Sequence, residues 1–246
     1  METQKNGCAG CTAGKVGMNN QYRKFEPDLI VEATRLCDRN CPGCYAPNFI
    51  SQGLPLELYD QKPELFLQPI TFEKLLQRED LKQVRSIAFR GGEPSKHPFL
   101  YSLIQSAHKV AKEVYIETHG RWILNPLGYF GLMVESEKNG TIFKLSYDRM
   151  HGLSSQDLYE ITQALDKKNI NWVVAVTEFT EGTFAKTRSK IQWIPDEKII
   201  YQKKAQFQSD LIKPQLGVVK VNGTIADDLT VKAAFKAVQT VFEASP

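Results

Sequence analysis

Strand-like and helix-like segments alternate along much of this chain, and that alternation constrains its fold more than any other feature. Five short apolar segments have the composition of buried strands. They are residues 28–34, 84–89, 114–118, 141–147 and 171–177. Between the second and third, residues 98–112 carry apolar side chains at helical spacing. The alternation predicts parallel strands with helices outside, as an α/β barrel or an open sheet.

Four of these predicted strands end in residues that can carry chemistry. They are a cysteine loop after the first strand, Gly91-Gly92-Glu93 after the second, Thr118-His119 after the third and Ser146–Asp148 after the fourth. In α/β folds the working face lies at the carboxyl ends of the strands. We therefore expect these four segments to converge on one face of the protein.

The loop after the first predicted strand holds Cys37, Cys41 and Cys44 at C-x-x-x-C-x-x-C spacing. Thiolates are the ligands of iron–sulfur clusters, and three of them leave one iron of a 4Fe–4S cluster open to a small molecule. Free cysteines are also often buried as small hydrophobic residues. A structural zinc site is a further alternative, although its fourth ligand would have to come from elsewhere. The spacing favours the cluster, because simple burial explains three cysteines in eight residues poorly.

Residues 1–24 are rich in Gly, Asn and Lys, show no periodicity and predict a flexible arm. The arm carries a second pair of cysteines, Cys8 and Cys11. A C-x-x-C pair can be half of a metal site or a redox pair. It can equally be two incidental thiols on a tail, and the spacing alone does not decide between these explanations.

The bulk properties predict an ordinary globular protein. Its 246 residues suffice for one large domain, and its net charge of +3 gives no argument for a nucleic-acid partner. No window approaches the roughly 18 apolar residues of a membrane helix. The polar N-terminus also lacks the apolar core of a signal peptide. These features predict a cytoplasmic protein without a membrane partner, and reduced cysteines fit that compartment.

The predicted domain division has three parts. The arm occupies residues 1–24, the main α/β domain occupies 25–225, and a helix within 226–246 packs on it. Near the end of the main domain, a strand candidate at 216–221 is followed by Asn222-Gly223, which is a strong hairpin signal.

Taken together, these motifs resemble the radical S-adenosylmethionine superfamily. The resemblance rests on the spacing of Cys37, Cys41 and Cys44, with an aromatic residue, Tyr45, directly after the last cysteine. It also rests on the sequence Gly-Gly-Glu-Pro at 91–94, which follows the next strand as the family's motif does. Ser146-x-Asp148 in the fourth strand, with His151 just beyond it, is similar to family members as well.

This resemblance implies a partial (β/α)6 barrel of the TIM-like type. It implies that Cys37, Cys41 and Cys44 hold a 4Fe–4S cluster whose open iron takes the amino and carboxylate groups of S-adenosylmethionine. The further residues expected to bind that cofactor are Tyr45 at the adenine, Gly91, Gly92 and Glu93 at the methionyl amine, and Thr118, Ser146 and Asp148 at the ribose hydroxyls or the carboxylate. Phe49 and Phe89 are further candidates for the adenine, and His119 and His151 for the substrate.

The implied reaction is an oxidoreductase chemistry. A low-potential donor such as flavodoxin or ferredoxin reduces the cluster, S-adenosylmethionine is cleaved, and a 5′-deoxyadenosyl radical takes hydrogen from a small molecule or peptide. Two alternatives remain: a glycyl-radical activating enzyme that acts on a partner protein, and a non-catalytic iron–sulfur module. The chain departs from many peptide-modifying members because it has no run of cysteines near its C-terminus.

Overall fold

The computed structural model describes residues 25, 27–41, 44, 49–51, 55–125, 129–148, 151–178, 182–203 and 218–226. The predicted arm with Cys8 and Cys11, the residue Tyr45 and the predicted C-terminal helix lie outside these residues. The division into three parts therefore stays a prediction.

Six parallel strands form the centre of the structure, and each pairs with the next strand along the chain. They are β1 (Leu29–Thr34), β2 (Ser86–Gly91), β3 (Glu113–Thr118), β4 (Ile142–Ser146), β5 (Trp172–Glu178) and β6 (Ile199–Lys203). All five predicted strands are present, and β6 adds a sixth. The predicted α/β class is therefore confirmed, as a mostly parallel sheet like the sheets of partial barrels.

A short hairpin extends the sheet beyond β1. β7 (Val218–Val219) pairs parallel to β1, and β8 (Ile225–Ala226) returns antiparallel to β7. Gly223, in the turn between them, has a φ of 79°, a conformation that glycine adopts without strain. The hairpin predicted from Asn222-Gly223 is thus confirmed. Among the described strands β6 and β8 are the two edges, so the described sheet is not a closed barrel.

Helices follow the strands and cover one face of the sheet. They are α1 (Pro55–Gln61), α2 (Pro69–Leu76), α3 (Leu100–His108), α4 (Phe130–Asn139), α5 (Ser155–Asp166) and α6 (Thr183–Arg188). α5 begins with a capping box, in which the Ser154 hydroxyl accepts from the Asp157 N–H and the Asp157 carboxylate accepts from the Ser154 N–H. No helix in the described part of the chain is long and apolar enough to cross a membrane.

The two faces of the sheet differ in what they contact. Side chains such as Val31, Phe89 and Leu145 point towards the helices and share one large hydrophobic core with them. The opposite face has a small separate cluster that joins Ala88 of β2, Tyr115 of β3 and Ala175 of β5, with Phe25 packed among them. Since side chains alternate between faces along a strand, this division also tells on which face each remaining strand residue lies.

His97 is a buried histidine in the loop that leads to α3. Its Nε2 lies 2.8 Å from the Leu67 carbonyl oxygen, and its Nδ1 accepts from the Phe99 N–H at 3.1 Å. The rings of Tyr59 and Phe66 stand edge-on to the imidazole. Burial among these groups lowers the pKa of His97 to about 4. The ring is therefore neutral in the folded protein at neutral pH.

We expect the fold to lose stability on acidification because His97 takes up a proton more readily when unfolded. Its folded pKa lies below the unfolded value, so this stability is present above about pH 6.5 and is lost as the pH falls towards 4. The two pKa values correspond to a loss of about 3 kcal/mol. Urea unfolding from pH 7 to 4 measures it. His97→Gln should unfold with a flatter pH dependence, and an unchanged slope would contradict this assignment.

Candidate functional site

The segments that enter and leave the cysteine loop are paired with each other. Leu36–Cys37 forms a short parallel pair with Phe49–Ile50. The Phe49 N–H donates to the Arg35 carbonyl at 2.8 Å, and the Ser51 N–H donates to the Cys37 carbonyl at 2.9 Å. Within the loop, the Cys44 N–H donates to the Cys41 carbonyl at 3.1 Å. The backbone thus returns to its starting point and holds the loop at the carboxyl end of β1.

Gly91 and Gly92 hold the end of β2 against the backbone that leads into Cys37. The Gly92 N–H donates to the Thr34 carbonyl at 2.8 Å, and the Glu93 N–H donates to the Leu36 carbonyl at 2.9 Å. A Cβ on Gly91 would lie 2.0 Å from the Thr34 carbonyl oxygen, and one on Gly92 would lie 2.2 Å from that of Leu36. The close approach that these glycines permit is therefore an approach between two backbone segments of the chain itself.

The Glu93 carboxylate connects the ends of β2 and β3. It is 2% exposed. One oxygen accepts from the Thr118 hydroxyl at 2.7 Å and the Ser95 N–H at 3.2 Å. The other accepts from the His119 N–H at 3.2 Å and lies 3.2 Å from the His119 Nε2. A carboxylate has about four acceptor positions. Donors of this chain therefore use three of the acceptor positions of Glu93.

Thr118 is engaged in the same way. Its hydroxyl donates to Glu93 and accepts from the Gly120 N–H at 2.9 Å and the Trp122 Nε1–H at 3.0 Å. One donor and two acceptor positions are all that a hydroxyl offers. Thr118 thus braces the end of β3 from inside the protein.

Asp38, next to Cys37, joins the cysteine loop to this network. Its carboxylate accepts from the His119 Nε2 at 3.1 Å and lies 3.3 Å from the Lys96 Nζ. Burial acts to raise the pKa of Asp38, but His119 and Lys96 outweigh burial and hold that pKa well below its usual range. Burial likewise acts to lower the pKa of His119, and the carboxylates of Glu93 and Asp38 raise it above its usual value. The cysteine loop is therefore bound to β3 through ionic hydrogen bonds.

Burial disfavours the thiolate form of the loop cysteines, and the Arg39 guanidinium favours it. Burial raises the pKa of Cys37 to about 12, and burial followed by the charge of Cys44 raises that of Cys41. The Arg39 guanidinium acts on Cys41 in the opposite direction, and its buried Nη1 has no hydrogen-bond partner among the described residues. Ligation removes the thiol proton outright. A thiolate-ligated cluster would therefore place negative charge next to the Arg39 guanidinium.

Asp148 and His151 form a pair on the other side of the cysteine loop. The Asp148 carboxylate accepts from the His151 N–H at 3.1 Å and lies 2.8 Å from the His151 Nδ1. Its charge contributes to the raised pKa of Cys41, so the pair lies close to the loop. Ser146 is half-buried at the end of β4.

The two other aromatic candidates for the adenine differ in burial. Phe89 is fully buried against Phe72 in the hydrophobic core, because its side chain lies on the helix-covered face of β2. Phe49 is 37% exposed beside the loop, with the Lys62 ammonium 5.4 Å from its ring centre.

The described residues contain no group of three His, Cys, Asp or Glu side chains arranged to hold one metal ion. That criterion describes ligands that converge on a single ion, as in a zinc site. In a 4Fe–4S cluster each cysteine binds a different iron, so the three sulfurs stand around a larger group.

Three of the four segments predicted to converge at the strand ends are thus in direct contact with one another. Glu93, Thr118 and His119 form one network with Asp38 of the cysteine loop, and Asp148 acts on Cys41 from the other side. The sequence reasoning missed Asp38, Arg39 and Lys96. All three lie inside or directly beside a recognised motif, and that position was the available signal.

Comparison with solved structures finds a likeness in fold between this chain and anSMEcpe. The chain matches native anSMEcpe with bound AdoMet and the Kp18Cys peptide at a TM-score of 0.51 and 16% identity, over 71% of the chain and 50% of that protein. Two further anSMEcpe structures with bound AdoMet, one hexahistidine-tagged and one native, each give a TM-score of 0.50 at 16% identity. Each match covers 71% of this chain, and it covers 49% of the tagged protein and 51% of the native one. This chain therefore spans about half the length of those structures.

A weaker likeness, with a TM-score of 0.41, relates 76% of the chain to 51% of Streptococcus suis SuiB bound to its precursor peptide SuiA, at 12% identity. Neither a family model nor a curated protein matches the sequence. The likeness to anSMEcpe is one of fold, and that fold is the one which the resemblance to radical S-adenosylmethionine enzymes predicted.

Proposed function

We propose that this chain is a radical S-adenosylmethionine enzyme that acts on a small molecule or a peptide. The observation that carries the proposal is the cysteine loop. It presents three cysteines at the family's spacing and is fastened to the Gly91–Glu93 segment through the backbone. A second, ionic connection runs from Asp38 through His119 to Glu93. A structural zinc loop does not require this second motif at the neighbouring strand end.

In this proposal Cys37, Cys41 and Cys44 hold a 4Fe–4S cluster. With S-adenosylmethionine bound, the cluster supplies reductive cleavage of the sulfonium and hence the hydrogen-abstracting 5′-deoxyadenosyl radical. The chain's own residues bind and position these groups. Arg39 balances the charge of the thiolates.

The cofactor contacts follow from which groups this chain already uses. Because chain donors use most of the acceptor positions of Glu93 and chain groups use all those of the Thr118 hydroxyl, we expect the backbone carbonyls at 91–92 to accept from the methionyl amine. Ser146 and Asp148 remain the proposed contacts of the ribose or the carboxylate. Tyr45 remains the proposed contact of the adenine.

The substrate class is proposed on weaker grounds. The structure of anSMEcpe with the Kp18Cys peptide supports a peptide substrate, and a small molecule is the alternative substrate class. We propose a low-potential donor such as flavodoxin or ferredoxin and a cytoplasmic location, where both cluster and donor are protected. The alternative of a glycyl-radical activating enzyme places the substrate on a partner protein.

Release of 5′-deoxyadenosine is the test of this function. We expect the anaerobically reconstituted chain to bind about four iron atoms, as one cubane requires. With dithionite and S-adenosylmethionine it should then release 5′-deoxyadenosine and methionine. A chain that holds the cluster and releases neither product is an electron-transfer module, and the enzyme proposal is then wrong. A glycyl radical detected by electron paramagnetic resonance on a partner would favour the activating enzyme.

A further inference from the structure

Arg39, between Cys37 and Cys41 in the cysteine loop, holds a buried charged nitrogen without a partner. Its side chain is half-buried, and its Nη1 is buried with no hydrogen-bond partner among the described residues. Burying a charged donor without a partner is costly, and most buried polar groups in folded proteins are hydrogen-bonded. This nitrogen is therefore placed to contact a group that the described part of the chain does not supply.

The guanidinium of Arg39 lies between the cysteine loop and the loop that connects β4 to α5. A Cβ on Gly152, in that connecting loop, would lie 3.6 Å from the Arg39 Nη2. Burial has the largest effect on the pKa of Cys41 and of His119, and the guanidinium charge acts to lower each of them. The charged end of this side chain is thus close to the thiols and turned towards the candidate site.

The backbone of Arg39 also faces a thiol. Its N–H forms a hydrogen bond with the Cys37 thiol, while its guanidinium acts on Cys41. One residue therefore directs positive charge towards two of the three proposed cluster ligands. Hydrogen bonds to the sulfurs are among the features that set the reduction potential of an iron–sulfur cluster.

The carboxylates in the segments around Arg39 are engaged by other groups. Asp38 accepts from the His119 Nε2, Asp148 from the His151 N–H, and Asp157 from the Ser154 N–H. None of these three carboxylates accepts from the Arg39 Nη1. The acceptor for this nitrogen is therefore expected to arrive with a bound group rather than from these side chains.

We propose that the Arg39 guanidinium donates through Nη1 to a sulfur of the 4Fe–4S cluster and thereby raises the reduction potential of the cluster. The inference rests on the proposed function for the presence of the cluster. A cluster held by three thiolates gains a further negative charge on reduction, so an adjacent guanidinium favours the reduced form. Because Arg39 stands between two of the ligands, this contact does not require S-adenosylmethionine.

Redox titration of the reconstituted full chain without S-adenosylmethionine, followed by electron paramagnetic resonance, tests this contact. Arg39→Met should lower the equilibrium constant for cluster reduction at least about tenfold, which is a shift of about 59 mV to lower potential for a one-electron couple. Arg39→Lys, which keeps the charge without the planar fork, should restore part of the loss. The matched control is Arg121→Met, at an exposed guanidinium bonded to the Gly152 carbonyl, and it should keep the potential of the unchanged chain.

Melting of the metal-free chains gives a second measurement, which needs no cluster. Because the Arg39 Nη1 has no partner among the described residues, metal-free Arg39→Met should melt at the temperature of the unchanged chain or above it. Arg188 donates to the Ile191 and Ile194 carbonyls and pairs with Asp196, so Arg188→Met should melt lower. A clear fall for Arg39→Met as well would show that the chain itself holds the guanidinium, and it would overturn the inference.

The outcomes separate this inference from the proposed function. Equal potentials for the unchanged chain and Arg39→Met would overturn the contact, even if S-adenosylmethionine is cleaved. Weaker binding of S-adenosylmethionine at an unchanged potential would also overturn it and would assign the guanidinium to that cofactor. A lowered potential in a chain that releases no 5′-deoxyadenosine would overturn the function and support the contact. If Arg39→Met loads no cluster, Arg39→Gln provides the neutral side chain for the same comparison. An unchanged chain that assembles no 4Fe–4S cluster would overturn both.

Discussion

Replacement of Cys37 by alanine is expected to abolish cluster binding and S-adenosylmethionine cleavage. Cys37 is the most buried of the three cysteines and lies in the short strand pair that closes the loop. With only Cys41 and Cys44 left, the cluster would lose one of its three protein ligands. We expect iron content to fall below about a tenth of the wild-type value, because the site is built around all three thiolates. Iron and sulfide analysis after anaerobic reconstitution measures this loss.

Two controls distinguish the loss of a ligand from the loss of the fold. The metal-free Cys37→Ala variant should melt within a few degrees of the metal-free wild type, since a small buried side chain is removed. The pair Cys8→Ala with Cys11→Ala should retain the iron of one cluster. Full iron loading of Cys37→Ala would show that Cys37 is no ligand. Loss of about half the iron from the Cys8/Cys11 variant would assign a second site to the N-terminal arm.

The parts of this fold that the sequence predicts are those set by local pattern. Apolar runs such as 28–34 and 171–177 locate strands, and helical segments between them force those strands to be parallel. Glycine at 223 marks a hairpin because the turn needs a positive φ. In each case neighbouring residues carry the information, so the element can be predicted without knowing what packs against it.

The partners of the site residues could not be predicted in the same way. Glu93 looks like a ligand of a bound amine when only its motif is known. In the structure its acceptors serve Thr118 and His119, because the register of β2 against β3 places those donors beside it. That register depends on contacts between distant segments, and so does the position of His119 beside Asp38.

Four charged residues within the apolar strands carry more information than the sequence analysis drew from them. Four apolar strands each contain one charged residue near the carboxyl end: Glu32, Arg90, Glu117 and Lys144. Each of these residues directly follows a core residue in its strand, so its side chain lies on the opposite face of the sheet. A single charge in a strand is ordinary. Four at the same level predict a polar interior face once the strands are known to be neighbours in order. The order of the strands follows from the alternation of strands and helices, so the sequence alone could have predicted this polar face.

Gly92→Ala is expected to destabilise the protein and to detach the cysteine loop from β2. The new Cβ would lie 2.2 Å from the carbonyl oxygen and 2.6 Å from the carbonyl carbon of Leu36. Both are backbone atoms, so no side chain can rotate away. The two segments must separate, which breaks the bonds from the Gly92 and Glu93 N–H groups to Thr34 and Leu36. We expect a loss of at least about 3 kcal/mol in the free energy of unfolding.

Gly131→Ala is the matched control for this glycine. Gly131 lies in α4, and a Cβ there would have no atom within 4 Å, so alanine should raise stability by up to about 1 kcal/mol. Urea unfolding of both metal-free variants gives the comparison, and iron uptake then shows whether the loop still holds its cysteines in place. If Gly92→Ala is as stable as wild type and loads iron fully, the contact between the two motifs does not fasten the loop. The cysteines would then be held by the pairing of Leu36–Cys37 with Phe49–Ile50 and by the contacts of Asp38 with His119 and Lys96.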